Sequence, residues 1–380
     1  MAGKSQAERQ ALERQNATIM ALFERAGFDH IAPDIVQPAD IFLERSGEDI
    51  RARTFVFTDP SGAEMCLRPD LTVPACRYHL SHSANTAAEA RYCYCGPAFR
   101  FPDERLSPQE FTQAGLEWFA SPDAAAAEAR VLKLTIAALE AAGLTKLRVT
   151  LGDLGLFSAL LEDTEMPARW RRRLRHHFWR PQAFRDLLAR FCAGPGLKRS
   201  SISALVDRIA GEADAPALVA AELEALSLPL VGGRDASEIA GRLAEKAADR
   251  REPLLSAAKA ERLNAYLAID TDGVSAAAVL TRLTAGARYE EACRRYNARL
   301  AEMEELGLNP KRFRFLAGFG REIEYYTGFT FQIETETQEG PVTVAGGGRY
   351  DNLLADMGAP APVPAVGCAI HTDRLKAVLA

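Results

Sequence analysis

The chain has 380 residues, of which 48% are hydrophobic and 26% are charged, a composition typical of a globular protein with a sizeable core. Its net charge of −5 at pH 7 argues against a protein that wraps a long stretch of RNA, because such proteins usually carry a basic balance. No apolar run approaches the ~18 residues of a membrane span and no signal peptide is visible, so we expect a cytoplasmic protein without a membrane partner.

Seven cysteines are spread along the chain, and only Cys93 and Cys95 are close in sequence. A single C-x-C pair lacks the second pair that would complete a metal site. We therefore predict reduced cysteines in the core, and neither a metal ion nor a cofactor.

The first segment predicts a long helix followed by extended chain. Ser5 and Glu8 form a capping-box pattern, apolar residues recur at helical spacing, and Gly27 marks the end of the helix. Prolines then accompany an extended strand and turn between residues 31 and 41. Residues 54–58 and 64–68 predict a hairpin around the turn 59–62.

Strand pairs alternate with helices as far as residue 151. A helix is predicted from Pro74, then strands at 92–101 and 111–119, then a helix that starts at residues 121–123 and ends at Gly143. Leu147, Val149 and Leu151 alternate as in a further strand. This order favours an antiparallel sheet with helices packed on it.

Residues 154–311 predict a mostly helical insertion, rich in Ala, Leu, Glu and Arg, with turn signals at 194–196 and 232–233. Within it, residues 169–180 form a dense basic and aromatic run. Such a run indicates a solvated helix face, an internal salt-bridge partner, or contact with an acidic surface such as a protein or a nucleic acid.

The last part of the chain returns to strand character at residues 314–320 and 324–335. Val342 and Val344 predict a short strand that runs into three glycines, 346–348, and a helix closes the chain. The glycines would allow either a close approach of the backbone to another group or a turn with positive φ. Arg349 follows the glycines directly, and an arginine held beyond a buried strand suits a phosphate or a carboxylate.

Polar side chains recur at the ends of the predicted strands. Buried carboxylates, amides and hydroxyls in such places need a partner, and this mixture would suit a zwitterion with an extra polar side chain. The residues concerned are Asp70, Thr72, Arg100, Gln113, Glu117, Arg321, Tyr325, Tyr326 and Tyr350.

The segments RPDLT, GPAFR, FTQAGLEWF, REIEYYTGFTF and GGGRYD, followed by DRL, resemble the histidine- and ATP-binding motifs of histidyl-tRNA synthetases, in the family order. The resemblance covers residues 5–150 and 310–378. It implies an α+β, class II aminoacyl-tRNA synthetase-like fold, with an antiparallel sheet flanked by helices. We divide the chain into a first core part at 1–153, the helical insertion at 154–311 and a second core part at 312–380.

The resemblance implies a histidine-binding site. Asp70 and Thr72 match residues that hold the amino group, with Gln113 beside them, whereas Glu117 and Tyr326 match residues that address the imidazole. Two more tyrosines and one arginine complete the predicted site: Tyr325, Tyr350, which lines the pocket, and Arg321, which contacts the carboxylate.

The ATP half of the resemblance is incomplete. Arg100 and Arg374 match two arginines that grip ATP phosphates, but Pro102 stands where the family usually has an acid. His371 replaces a glycine that makes room for adenine, and the loop from Arg100 carries no clear match to a further family arginine. We therefore expect a vestigial ATP site and no catalytic residues.

The anticodon-binding domain that follows the last motif in synthetases is also expected to be missing.

This combination resembles the family of ATP phosphoribosyltransferase regulatory subunits. The resemblance implies a non-catalytic subunit, needed for the first step of histidine biosynthesis, that mediates feedback inhibition by L-histidine. Its partner would be the short-form catalytic subunit, and the chain would be a homodimer inside a hetero-oligomer. Two alternatives remain: a synthetase catalytic domain, a ligase, that works with a separate anticodon-binding chain, and an RNA-binding module that uses residues 169–180.

Overall fold

The computed structural model describes the following parts of the chain: residues 3–45, 48–102, 109–194, 206, 208, 214–225, 235–319 and 325–379. Arg321, the predicted strand start at 324, most of the loop after Arg100, and most of the turn signals at 194–196 and 232–233 lie outside these parts.

The helices of the described residues are α1 (Gln6–Arg25), α2 (Asp40–Arg45), α3 (Glu48–Arg53), α4 (Thr72–His82), α5 (Ala124–Ala141), α6 (Leu154–Asp163), α7 (Ala168–His176), α8 (Pro181–Ala193), α9 (Ala215–Ala225), α10 (Ala236–Arg251), α11 (Ala257–Leu267), α12 (Gly273–Arg282), α13 (Ala287–Glu305), α14 (Leu353–Asp356) and α15 (Thr372–Leu379).

The strands of the described residues are β1 (Asp29–His30), β2 (Val36–Pro38), β3 (Phe55–Thr58), β4 (Glu64–Leu67), β5 (Ala90–Phe99), β6 (Glu110–Phe119), β7 (Arg148–Asp153), β8 (Asp270–Asp272), β9 (Arg314–Leu316), β10 (Phe329–Thr337), β11 (Gly340–Arg349) and β12 (Ala365–His371).

A nine-stranded sheet in the order β1-β5-β6-β12-β11-β10-β7-β9-β8 forms the centre of the fold. Its central pairs are antiparallel, as predicted, and helices flank the sheet. The pairs β1–β5 and β7–β9 are parallel, so the sheet is mixed rather than purely antiparallel. Both parallel pairs involve strands of two or three residues, which are too short to leave a clear pattern in the sequence.

The capping box of α1 is confirmed. The backbone N–H of Ser5 donates to Oε2 of Glu8 at 2.7 Å, and the N–H of Glu8 donates to the Ser5 hydroxyl at 3.3 Å. The helix ends where predicted, because Gly27 adopts a φ of 89°, which a residue without a Cβ tolerates.

The predicted hairpin is part of a second sheet of three strands, in the order β2-β4-β3. Oδ1 of Asp59 accepts hydrogen bonds from the N–H groups of Ser61 and Ala63, at 2.8 and 3.0 Å, and so holds the turn. Gln37 and Cys66 lie on the buried face of this sheet, whereas Val36 and Phe57, on the other face, are 45% and 40% exposed.

The three glycines lie inside β11, so the expected close approach is confirmed and the alternative, a glycine turn, is wrong. The strand continues to Arg349, and its neighbours β10 and β12 pair with the glycines. A Cβ at Gly347 would collide with the carbonyl oxygen of Gly367 and would lie 2.8 Å from the ring of Phe331. The glycines are therefore needed for close approach between the sheet and its covering side chains.

Arg349 is not a free anion-binding group. It is buried, its Nε donates to Oε1 of Glu128, and its Nη1 lies 2.9 Å from Oδ1 of Asp351. Arg349 therefore pairs with two carboxylates of the protein itself. The prediction that it binds a phosphate or a carboxylate of a ligand is corrected by these two contacts.

The chain forms two compact units, one of Met1–Asp163 with Tyr266–Ala380 and one of Thr164–Ala265. The first unit contains the large sheet and the second is built from helices. The division into core and insertion at residues 154 and 311 stays a prediction of the sequence.

The basic run pairs mainly with acids of its own unit. Arg169 and Arg173 on α7 both bond to Asp249 on α10; Arg169 also bonds to Glu252, and Arg173 to Glu245. Among the interpretations of this run, the internal salt-bridge partner is confirmed for these two arginines. The pairs tie α7 to α10 within the helical unit.

All seven cysteines are free thiols; five are buried, and Cys95 and Cys192 are half-buried.

Among the described residues, no group of His, Cys, Asp and Glu side chains has the arrangement of a metal site. None of the helices described above is both long enough and apolar enough to cross a membrane.

Candidate functional site

A small pocket lies over the middle of the large sheet, at the neighbouring strands β6, β12 and β11. Most of the residues predicted for histidine and ATP line it together. They are Asp70, Thr72, Arg100, Gln113, Tyr325, Tyr326, Tyr350 and His371. Glu117 and Arg374 do not line the pocket, and Arg321 lies outside the described residues.

Asp70 precedes α4, which starts at Thr72, two residues before the predicted start. Oδ1 of Asp70 accepts a hydrogen bond from the N–H of Val73, in the first turn of this helix, at 3.2 Å. Oδ2 is buried and has no hydrogen-bond partner among the described residues. Burial raises the pKa of Asp70, although the positive charge of Arg100 opposes the shift.

Gln113 supplies a second unsatisfied acceptor. It lies on β6 opposite His371 of β12, it is 2% exposed, and its Oε1 has no partner in the described part of the chain. A buried acceptor without a donor costs about 1–3 kcal/mol. Asp70 and Gln113 therefore provide two acceptor oxygens for a donor from a ligand, and an ammonium group meets that requirement.

Glu117 lies beneath the pocket. The hydroxyl of Tyr94 donates to its Oε1 at 2.8 Å, the hydroxyl of Tyr350 donates to its Oε2, and the Thr72 hydroxyl contributes a further hydrogen bond. Burial raises the pKa of Glu117 to about 7, against the effect of these donors. Gly367 of β12 covers the carboxylate, since a Cβ there would collide with Oε2.

Tyr94 is a site residue that sequence reasoning missed. It is fully buried on β5 and faces Gly115 on β6, where a Cβ would lie 2.6 Å from the tyrosine hydroxyl. The signal available in the sequence was a glycine inside a strand, which often marks a close approach.

Three tyrosines close the pocket. The ring of Tyr325 lies 5.0 Å from that of Tyr326 and 5.7 Å from that of Tyr350, in tilted and edge-on arrangements. The cavity they leave measures about 30 Å³, which is enough for about one water molecule.

The two predicted ATP-binding arginines are in different surroundings. Nε of Arg100 donates to the carbonyl of Pro69 at 2.7 Å, and its guanidinium lies 5.4 Å from the ring centre of Phe111 at the pocket. Arg374 on α15 is exposed, with Nη1 3.4 Å from the carbonyl oxygen of Thr343. The structure therefore does not bring the two guanidiniums into one pocket.

His371 fills the space beside Phe111. It ends β12, it is 9% exposed, and its ring centre lies 5.6 Å from that of Phe111. The imidazole thus lies on one side of the pocket, which Arg100 also lines, and its crowding of a nucleotide stays a prediction.

Charge in and below the pocket comes from two carboxyl groups, Asp70 and Glu117, and from the guanidinium of Arg100. Unsatisfied acceptors, hydroxyl groups and aromatic rings surround the space. This arrangement can bind a small molecule with a cationic end and an apolar or aromatic part.

The comparison with protein families agrees with this geometry. The family model of histidyl-tRNA synthetase matches residues 4–220 and 201–375. The ATP phosphoribosyltransferase regulatory subunit of Rhizobium meliloti (strain 1021) is 34% identical over 375 residues, which cover 95% of this chain and 96% of the relative. The regulatory subunit of Mesorhizobium japonicum is 37% identical over 368 residues, with 95% and 96% covered.

Solved structures share the fold. An ATP phosphoribosyltransferase regulatory subunit/histidyl-tRNA synthetase from Bacillus halodurans C superposes with a TM-score of 0.72 and 21% identity, covering 100% of this chain and 81% of that chain. Apo histidyl-tRNA synthetase from S. aureus gives a TM-score of 0.57 at 17% identity, covering 100% and 72%. The class II synthetase-like fold is thereby confirmed, and the sequence identities above 30% decide the family. The chain belongs to the ATP phosphoribosyltransferase regulatory subunits, and it carries the histidyl-tRNA synthetase domain.

Proposed function

We propose that this chain is the regulatory subunit of an ATP phosphoribosyltransferase in histidine biosynthesis, that it binds the short-form catalytic subunit, and that L-histidine is its effector. The family relationship supports the regulatory role. The observation that carries the histidine part is the pair of buried, unsatisfied acceptors, Oδ2 of Asp70 and Oε1 of Gln113.

The ammonium and the imidazole of histidine both have possible partners at the pocket. Its ammonium would donate to Asp70 and Gln113, and its imidazole would lie among Tyr325, Tyr326 and Tyr350. A hydrogen bond between charged groups contributes about 1.5–3 kcal/mol, so the contact with Asp70 would account for a roughly 10- to 150-fold share of the affinity.

The regulatory role is tested by reconstitution with a short-form catalytic subunit. We expect the purified chain to raise the rate of phosphoribosyl transfer, and L-histidine to lower it again in the complex. Asp70→Asn should keep the activation and shift histidine inhibition to at least about tenfold higher concentration. Asp186→Asn, an exposed acid on α8, is the matched control and should behave as the wild type. A rate that is the same with and without the chain would rule out the regulatory role.

We further propose that the chain does not activate histidine with ATP. The imidazole of His371 lies beside Phe111, and Arg374 is on the exposed surface rather than at the pocket. Histidine-dependent exchange between ATP and pyrophosphate should be absent, with a histidyl-tRNA synthetase as the positive control. Robust exchange would favour the ligase alternative.

Homodimer formation is proposed to use the exposed face of the three-stranded sheet. Val36 and Phe57 are exposed there, and the ring of Phe101 stacks 3.8 Å from that of Phe55. An apolar face of this kind usually marks an interface. In class II synthetases a long helix and a proline-bearing strand build the dimer, and β2 ends in Pro38.

The oligomeric state tests this surface directly. Sedimentation of the purified chain should give a dimer, and the double substitution Val36→Ser and Phe57→Ser should give a monomer. Leu254→Ser removes an apolar side chain of the helical unit that is even more exposed, at 58%, and should leave the dimer intact. A wild-type monomer would contradict the proposal.

A further inference from the structure

The carboxylate of Glu117 is buried with hydroxyl groups as its partners. Tyr94 donates to Oε1 at 2.8 Å, Tyr350 donates to Oε2, and Thr72 adds a third hydroxyl contact. Hydroxyls stabilise a buried negative charge less than a paired cation does. The charge of Glu117 is therefore weakly compensated.

Among the described residues, the groups with the largest influence on Glu117 are neutral or acidic. Tyr94 comes from β5, Cys76 with Thr72 from α4, Cys368 from β12 and Tyr350 from the end of β11; Asp70 faces it from the loop before α4. In the described part of the chain, the groups with the largest effect on the pKa of Glu117 include no cation. Burial is the largest influence and raises its pKa to about 7.

Tyr350 connects this carboxylate to the pocket. Its ring lines the pocket, and its hydroxyl donates to Oε2 of Glu117. While Glu117 is ionised, the Tyr350 hydroxyl donates its one hydrogen to the carboxylate. Toward any other group this hydroxyl can then act only as an acceptor. A protonated Glu117 has one O–H that donates and one oxygen that still accepts. Where that O–H donates to Tyr350, the tyrosine O–H can donate to another acceptor, so the protonation state of Glu117 changes the hydrogen bonds that Tyr350 can make.

We propose that the pocket exchanges a proton for the cationic group of its ligand, and that this proton leaves Glu117 for the solvent when the ligand binds. The inference rests on the proposed binding of L-histidine, whose ammonium brings a positive charge next to Asp70 and above Glu117. That charge favours the ionised carboxylate, and the ionised carboxylate favours an accepting Tyr350. Tyr94, which does not line the pocket, acts as a positioning residue for Glu117.

The sign of the pH dependence follows from linkage. Glu117 is half protonated at about pH 7 in the free protein, so the bound ligand releases about half a proton there. Below that pH the ligand has to displace a full proton, and its affinity falls by at most about tenfold per pH unit. Above it, the contribution of Glu117 to the pH dependence disappears.

Titration calorimetry with L-histidine near pH 7 measures the exchanged protons, because phosphate and Tris buffers take up a proton with different heats. The full chain is compared with Glu117→Gln, which keeps the size of the side chain and cannot release a proton. The difference between the two proteins therefore counts the protons whose exchange depends on the Glu117 carboxyl group. We expect the wild type to release about half a proton more than the variant.

Tyr94→Phe provides the second readout. Loss of one hydrogen bond to the charged form should move the midpoint of the affinity profile to higher pH, an effect that a purely structural role would not produce. Histidine binding with the same proton count in wild type and Glu117→Gln, and an unchanged midpoint in Tyr94→Phe, would overturn this inference alone. No binding heat in the wild type would overturn the proposed histidine function and this inference together.

Discussion

Arg299 and Glu128 form an ion pair inside the core, with Nη1 of the arginine 2.7 Å from Oε2 of the acid. The second nitrogen of Arg299 contacts Asp153 at 2.6 Å, and the other oxygen of Glu128 accepts a hydrogen bond from Arg349. The network joins α13, α5, the end of β7 and the end of β11, next to Tyr350 of the pocket. Such groups are stable inside a protein only while each charge has its partner.

Replacement of Glu128 by leucine should therefore destabilise the fold strongly. Arg299 and Arg349 would each lose a buried counter-charge, and broken pairs of this kind cost about 3–5 kcal/mol. Urea denaturation followed by circular dichroism measures the loss. The exposed pair of Arg314 and Asp270, with side chains 49% and 47% exposed, gives the control Arg314→Met, which should cost less than about 1 kcal/mol. A loss below about 1 kcal/mol for the Glu128 variant would contradict the prediction.

A second prediction concerns the glycines of β11. Gly347→Ala should destabilise the protein by about 1–3 kcal/mol, because the new methyl group meets backbone of β12 and the ring of Phe331. Gly241 in α10 is the matched control, since outside its chain neighbours and the helix backbone no atom of the described residues lies within 4 Å of the place that a Cβ would take. Gly241→Ala should stabilise the chain by up to about 1 kcal/mol, as alanine is the better helix former. Thermal unfolding of both variants and the wild type measures the two stability changes, which should have opposite signs.

The sequence predicts local features well and distant partners poorly. The capping box at Ser5 and the turn at Asp59 depend on residues three or four positions apart, so their patterns are complete within a short window. Arg349 binds Glu128, 221 positions away, and no local pattern indicates that pairing. The sequence around Arg349 alone therefore predicts that its guanidinium binds an anion of a ligand.

The candidate site shows the same limit. Asp70, Gln113 and Tyr350 can be found because each lies in a motif that resembles a known family, and the structure brings them to one pocket. Tyr94 lies in no such motif, although it holds Glu117 in place. Its importance follows from the pairing of β5 with β6, which places Tyr94 against Gly115.

The pairs between α7 and α10 predict an acid-sensitive contribution to stability. Burial alone would raise the pKa of Asp249, but hydrogen bonds from Arg169, Arg173 and Trp170 outweigh it and lower the pKa. A lowered pKa in the folded state gives stability that is present above the unfolded pKa of about 3.9, and that stability is lost as the pH falls through the folded pKa.

Asp249→Asn should therefore cost about 1.5–3 kcal/mol at pH 7, and the difference from the wild type should shrink below about pH 4. Urea denaturation followed by tryptophan fluorescence is suited to this test, because Nε1 of Trp170 donates to Oδ1 of Asp249 at 2.6 Å. Asp186→Asn should show no such difference at either pH. A deficit of Asp249→Asn that is constant from pH 7 to pH 3 would contradict the assignment.

Glu117 predicts the opposite pH dependence. Its pKa is raised to about 7 in the folded protein, whereas an unfolded glutamate titrates near about 4.3. The folded state therefore binds more protons between these values, and the contribution of Glu117 to stability is full below about pH 4.3 and is lost as the pH rises to about 7. Glu117→Gln stays neutral at every pH and does not lose stability in this range.

The stability of Glu117→Gln relative to the wild type should thus increase from pH 5 to pH 8. Urea denaturation without ligand at both pH values measures this change, and it separates the buried charge from any effect on binding. Glu13→Gln, an exposed acid on α1, is the control and should follow the wild type. If the relative stability of Glu117→Gln is the same at both pH values, the carboxylate titrates normally in the folded protein. The proton that we assign to ligand exchange would then not be available on Glu117 near neutral pH.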